Sequence, residues 1–139
     1  MLASHVTRLK SRPIFDSAGL LSDYLRAQLA HERREVVRVL HLDAKLALLS
    51  DEIAGIGSIR QAQVHPREII RRALEIGASA IIPVHNHPSG DPTPSQDDIA
   101  FTRRLLGVTR ELDLEMPDHL IITPSGWTSL RSLGLMEPS

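Results

Sequence analysis

The stretch Ala80–Asp98, AIIPVHNHPSGDPTPSQDD, constrains the fold more than any other part of the chain. Ala80-Ile81-Ile82-Pro83-Val84 is short and apolar, and reads as a buried strand that ends at two histidines. Side chains at i and i+2 on a strand point the same way, so His85 and His87 share a face and can grip one ion. The loop that follows contains Pro88, Gly90, Pro92 and Pro94. Each proline ring fixes one backbone dihedral, which stiffens the loop. Ser95 has the chemistry of a helix N-cap, and Asp98 then falls at the third helical position. That helix start folds a carboxylate back toward the histidines. Two imidazoles, one carboxylate and an open fourth position are the usual design of a catalytic zinc site. A histidine pair alone is weak evidence, and Ser95 with Asp98 alone reads as a cap. The joint pattern is hard to explain by packing.

These residues resemble a known family. His85-x-His87-x7-Ser95-x2-Asp98 is similar to the JAMM motif of the JAB/MPN-type metallopeptidases. The string His85-Asn86-His87-Pro88-Ser89-Gly90, with Pro94-Ser95, resembles the RadC branch of that family. Val64-His65-Pro66-Arg67-Glu68, Asp118-His119-Leu120 and Glu35 to Asp43 fit the same branch, so the resemblance runs from about Ser17 to Leu133. It implies an α/β (α+β mixed) fold, a curved mixed β-sheet flanked by helices in the cytidine-deaminase-like JAB/MPN architecture. It also implies one zinc ion per chain on His85, His87 and Asp98. The implied activity is hydrolysis of peptide or isopeptide bonds, with a peptide or protein substrate such as a ubiquitin-like tail. Enzymes of this type take a general base from a glutamate near the start of an earlier strand. Glu35 is the candidate, because it directly precedes the apolar run Val36–Leu42, and Glu32 is the alternative. The branch name points to DNA repair. Full-length members often carry a helix-hairpin-helix module ahead of the domain, and the first 15 residues are too few for one.

Ser95 can serve two ends. Its oxygen can accept an N-cap hydrogen bond while its own proton stays free to donate to a developing oxyanion. A cap alone is the other reading. Asp98 at a helix N-terminus gains from the positive end of the macrodipole, which favours its ionised form. Asn86 points to the opposite face from its neighbours and is expected to hold the loop through backbone hydrogen bonds. His119 either orients a ligand or is structural. His65 is expected to be structural, and His5, His31 and His41 have no evident partner.

Composition narrows the functions. With 16 basic and 17 acidic residues the net charge is −1, without the basic excess that nucleic-acid binding usually shows. There is no cysteine, so a metal must use histidine and carboxylate. No apolar run approaches a membrane span, and the N-terminus lacks a signal-peptide core, so a cytoplasmic location is expected. Aromatic residues make up 3%, which leaves Leu, Ile, Val and Ala to build the core.

The chain divides into an N-terminal lead (1–16), one domain (17–133) and a C-terminal tail (134–139). A helix capped by Asp16 or Ser17 is expected to reach His31, with a core stripe of Leu20, Leu21, Tyr24, Leu25, Gln28 and Leu29. Val36–Leu42 is a strand, Asp43-Ala44-Lys45 a hairpin turn, and Leu46–Ile53 the returning strand. Gly55 and Gly57 break the chain before a third short strand, Ser58–Gln63. Pro66 starts a helix over Arg67–Ile76 that ends at Gly77, with Ile69, Ile70, Ala73 and Leu74 facing the sheet. The helix from Ser95 to about Leu112 buries Ile99, Leu105, Leu106 and Val108. Strand segments follow at Leu114–Met116 and Leu120–Thr123, then a turn at Pro124-Ser125-Gly126 and a strand at Trp127–Leu130. The tail from Ser132 is expected to fray.

Three functions compete: a zinc hydrolase acting on amide bonds, a non-catalytic metal-binding interaction module associated with DNA processing, and a nuclease-like enzyme. The set Glu35, His85, His87, Ser95 and Asp98 favours the first, since a scaffold needs neither a base nor an oxyanion donor. Neutral net charge and few aromatics speak against the third.

Overall fold

The computed structural model describes residues 20–29 and 32–137. The expected lead, the cap at Asp16 or Ser17, the helix end at His31, and His5 lie outside those residues. Within them the order is α1 (Leu20–Leu29), β1 (Val36–Leu42), β2 (Leu48–Ile56), α2 (Pro66–Ile76), β3 (Ala80–Asn86), α3 (Gln96–Glu111), β4 (Leu120–Thr123) and β5 (Gly126–Ser129). The five strands form one sheet in the order β2-β1-β3-β4-β5. β1 runs antiparallel to β2 and β3, β3 runs parallel to β4, and β4 runs antiparallel to β5. This is the mixed sheet flanked by helices that the sequence implies. α3 supplies the crossover that the parallel β3–β4 pair requires.

Strand periodicity divides the core in two. Val36, Leu40, Leu42, Ile82, Val84 and Ile122 face α1, where Leu25 and Leu29 meet them. Val37, Val39, Ile81 and Ile121 face the other way, against Ile69 and Ala73 of α2 and Leu105 of α3. β3 is central and buried along its whole length, its last two residues His85 and Asn86 included. The alternation sends His85 toward α3 and Asn86 toward α1. Tyr24 of α1 donates to Asp51 of β2, which also accepts from Arg38 of β1 at 2.9 Å, so α1 is tied to the edge of the sheet.

Several local expectations are corrected. Ser58–Gln63 is a series of turns rather than a strand. The Ser58 carbonyl accepts from Ala62 N–H at 2.7 Å and its hydroxyl accepts from Gln61 N–H at 3.1 Å, which winds the chain. Gln63 completes the bend with φ at +51°. Gly55 does not break β2, which continues to Ile56. Its role is close approach: a Cβ there would lie 2.8 Å from both the Ala62 and Val64 side chains. β2 starts at Leu48 rather than Leu46, because Leu46 is held in the hairpin turn with φ at +63°. Its N–H donates to the Asp43 carbonyl, while the Asp43 carboxylate accepts from Lys45 and Ala47. Leu74 and Val108 are exposed. α2 packs through Ile69, Ile70 and Ala73, and α3 through Asp98, Phe101, Thr102, Leu105, Leu106 and Thr109, with Ile99 only half-buried. Leu114–Met116 makes only an isolated bridge, Ala80 to Glu115. The segment after Ser132 does not fray within the described residues, since Leu135 N–H bonds to the Leu130 carbonyl and Met136 is buried. No helix among the described residues is long and apolar enough to cross a membrane.

Candidate metal centre

β3 and α3 bring the three expected ligands together at one end of the sheet. His85 is the penultimate residue of β3, paired with Val37 of β1 and Ile121 of β4. His87 lies one residue past the strand and is held there by its N–H on the Ile122 carbonyl, 2.8 Å away. Its ring Nδ1 faces the Asp91 carbonyl at 2.9 Å, an acceptor, so Nδ1 carries the proton and Nε2 is left with a free lone pair. The Pro/Gly loop is thereby bound to the histidine it follows. Gly90, with φ at +89°, makes the tight turn, and its N–H donates to the His87 carbonyl at 3.1 Å.

The start of α3 places the carboxylate. Ser95 is the N-cap in extended conformation, and a complete capping box closes on it. Asp98 N–H donates to Ser95 Oγ at 3.0 Å, and Ser95 N–H donates to Asp98 Oδ2 at 2.8 Å. A residue that sequence logic makes a cap partner is thus also fixed in orientation by the cap. The remaining faces of the carboxylate look at the histidines. Asp98 Oδ1 is 3.2 Å from His85 Nδ1, and Oδ2 is 3.3 Å from His87 Nε2. One ligand atom from each of the three residues lies within 4.8 Å of the others.

This set fits a metal ion. Around a tetrahedral zinc with nitrogen and oxygen ligands at roughly 2.0–2.1 Å, neighbouring ligand atoms are about 3.4 Å apart. The two histidine nitrogens approach the Asp98 carboxylate to a similar distance, 3.2 Å to Oδ1 and 3.3 Å to Oδ2. His85 Nδ1 is buried, close to Asp98 but not aligned to hydrogen-bond with it. A buried nitrogen without a hydrogen bond is costly unless something else engages its lone pair. Burial alone would raise the Asp98 carboxyl. The contacts from His85 and His87 and the Ser95 N–H outweigh it and hold the group well below the usual carboxylate range. The Asp98 carboxylate raises the proton affinity of His87 against its partial burial. Metal uptake therefore displaces a proton there.

Glu35 and Glu32 are separated by the geometry. Glu35 Oε2 is 3.0 Å from His85 Nε2, and its side chain is 36% exposed, open to the cleft. The Glu32 carboxylate turns instead to its own neighbour, accepting from Arg34 N–H at 3.2 Å and Arg34 Nε at 3.3 Å. The cleft has a volume of about 270 Å³, and its lining includes Glu35, His85, His87, Ser95 and Asp98 together with Ser58 and Ile59. Ser95 reaches this cleft as an exposed residue, with its hydroxyl proton not committed to the cap.

Other residues differ from the sequence reading or extend it. Asn86 points to the opposite face, as expected, but does not hold the loop. Its side chain bonds to backbone fifty residues earlier in the chain, at Val36, Arg34 and, more distantly, Glu32. Nothing in the local pattern signals a contact of that range. His119 is fully buried behind the site. Its Nδ1 lies 2.5 Å from Thr102 Oγ1, which also donates to the Asp98 carbonyl at 2.7 Å. Its Nε2 has no partner, and burial pushes its proton affinity down to about 3. Thr102 was the missing signal: it sits four residues after Asp98, one helical turn on, above the ligand. His65 is the residue before Pro66 at the start of α2 and makes no side-chain cap. His41 is buried with its Nδ1 unpartnered, and burial lowers its proton affinity.

A model of the RadC-like JAB domain matches residues 15–135.

Proposed function

The chain belongs to the RadC-like JAB domain family, and from that premise we propose that it is a zinc-dependent hydrolase of the JAMM type, cleaving a peptide or isopeptide bond. His85, His87 and Asp98 would hold one zinc ion per chain. Bound there, zinc supplies Lewis acidity, acidifying a water and polarising an amide carbonyl.

The observation that carries the reading is the position of Glu35. Its half-exposed carboxylate lines the same cleft as His85, His87, Ser95 and Asp98, with Oε2 3.0 Å from His85 Nε2. A carboxylate in that position can accept the proton of an attacking water and return it to the leaving amine. Ser95 faces the same cleft with a free hydroxyl proton, suited to donate to the carbonyl oxygen as charge develops on it. The His87–Asp91 bond fixes the histidine tautomer, and the capping box fixes Asp98, so neither ligand needs to reorganise during the reaction.

The substrate class we propose is a peptide or protein, with a ubiquitin-like tail among the candidates, met in the cytoplasm. The competing reading is a metal-binding interaction module in DNA processing. The test is a screen of internally quenched peptides and isopeptide-linked conjugates against zinc-loaded protein, chelator-treated protein and the Glu35→Gln variant. The proposal expects cleavage that stops on chelation and is lost in Glu35→Gln, although that variant keeps its zinc. A folded, zinc-loaded chain that cleaves none of these, or cleaves as well with Glu35→Gln, favours the interaction module.

A further inference from the structure

Glu35 belongs to no helix or strand. It lies between a bend at Arg34 and the first residue of β1, so the β3 side of its backbone has no ladder of its own. The β1–β3 ladder ends at the pair Val37–His85. One residue further on, the side chain of Asn86 takes the place of the missing backbone. Its Oδ1 accepts from Val36 N–H at 2.6 Å, and its Nδ2 donates to the Arg34 carbonyl at 2.9 Å. A primary amide offers a coplanar acceptor and donor, as a peptide group does, so it can extend a ladder by one rung. The two backbone groups it takes flank Glu35 on either side. The Glu35 carbonyl itself accepts from Gly57 N–H at 2.6 Å.

Asn86 is 2% exposed and lies between the two histidines that face the cleft. Three consecutive residues of one strand thus serve both halves of the site. His85 and His87 present their rings on one face, and Asn86 holds the Glu35 segment from the other. We propose that Asn86 is a positioning residue, whose amide clamps the backbone around Glu35 and so fixes the Glu35 carboxylate relative to His85 and His87. Its kinetic consequence rests on the reading of Glu35 as the proton acceptor, whereas the clamp itself can be judged without any turnover.

The test uses the full chain with Asn86→Leu, of similar size and without hydrogen bonds. Asn86→Asp keeps the acceptor for Val36 but loses the donor to Arg34. Leu25→Ala is a destabilised control in the α1-side core. In metal-free protein, nuclear magnetic resonance reads the Val36 amide exchange rate and the proximity of the Glu35 side chain to the His85 ring. Zinc content is measured in parallel. Asn86→Leu is expected to speed Val36 exchange at least about 10-fold and to abolish the Glu35–His85 proximity, since an unmade buried hydrogen bond leaves the backbone free to open. Zinc binding should stay within a few-fold of the parent. Leu25→Ala should leave the proximity intact. Asn86→Asp should keep Val36 protected yet weaken the proximity, and it carries the test if Asn86→Leu does not fold. With a quenched peptide that the parent cleaves, Asn86→Leu should lower kcat about 100-fold, the order expected of a misplaced catalytic group, with KM within a few-fold. Read on the residual turnover of Glu35→Gln, it should cause little further loss, because both changes remove the same function. Unchanged Val36 exchange and an intact Glu35–His85 contact in Asn86→Leu would overturn the clamp, as would multiplicative losses in the double variant. If Glu35→Gln keeps parental turnover, the hydrolase role of Glu35 falls, and the exchange and proximity measurements still decide the clamp.

Discussion

His119 should make the metal-free protein lose stability as the pH falls below neutral. The residue is fully buried, and its Nε2 has no partner. Thr102 donates to the Asp98 carbonyl, so the proton between Thr102 and His119 is best assigned to His119 Nδ1, leaving Nε2 as a bare acceptor. Protonating Nε2 would place a charge in a dry core with nothing to receive it. Burial accordingly pushes its proton affinity from 6.5 down to about 3. Between those values the unfolded chain binds a proton that the folded chain refuses. The contribution is full above 6.5 and is lost as the pH falls from 6.5 toward 3. At about 1.4 kcal/mol for each pH unit, the loss between pH 6.5 and 5 is roughly 2 kcal/mol. The depressed carboxyls of Asp98 and Glu52 lose their contributions only below their ordinary values of 3.8 and 4.5, outside this window. His87, raised by Asp98, works with the opposite sign, and His41, lowered by burial, with the same sign. A difference between two proteins cancels both. His119→Asn retains a donor near the Nδ1 position and cannot titrate. Urea denaturation of chelator-stripped parent and variant at pH 7, 6 and 5 should give a parent curve steeper by roughly 2 kcal/mol over the interval, whatever the constant cost of the substitution. Parallel curves would refute the assignment of a buried neutral His119.

Ser95 can be divided into cap and donor. Ser95→Ala should cost roughly 1 kcal/mol in denaturant stability and lower turnover about 100- to 1000-fold. Ser95→Asp should keep the helix start and stay nearly inactive, with metal content checked because the new carboxylate could bind zinc. Turnover within a few-fold of the parent in Ser95→Ala would make Ser95 a cap only. Gly55→Ala should destabilise by about 1–3 kcal/mol in the same denaturation assay, because its Cβ would lie 2.8 Å from the Ala62 and Val64 side chains. An unchanged midpoint would mean that the turn at Ser58–Gln63 gives way easily.

The stretch from Ala80 to Asp98 was readable because each of its signals is local. An apolar run, an i, i+2 pair and a serine three residues before an aspartate each act within one or two turns of chain, and β3, α3 and the capping box follow. Helix faces were readable only in part. Leu74 and Val108 fit an apolar stripe yet lie outside the arc that touches the sheet, which depends on where α2 and α3 sit. Ser58–Gln63 has the length of a strand, and only its own hydroxyl and carbonyl bonds decide for turns. Only its place before the apolar run distinguishes Glu35 from Glu32 in the sequence, and the contacts of Glu32 with Arg34 and of Glu35 with His85 appear only in the structure. Asn86 was the least legible. A lone asparagine gives no hint that its partners are 50 and 52 residues away.

Zinc titration of chelator-stripped protein, followed by thermal melting and metal analysis, tests the central claim most directly. One zinc per chain should bind, and at free zinc about 100 times the dissociation constant the folded state should gain about 2.7 kcal/mol. His85→Ala and His87→Ala should abolish both the bound zinc and the gain. A parent that takes up no zinc, or a gain that persists in the two histidine variants, would contradict a metal centre built on His85, His87 and Asp98.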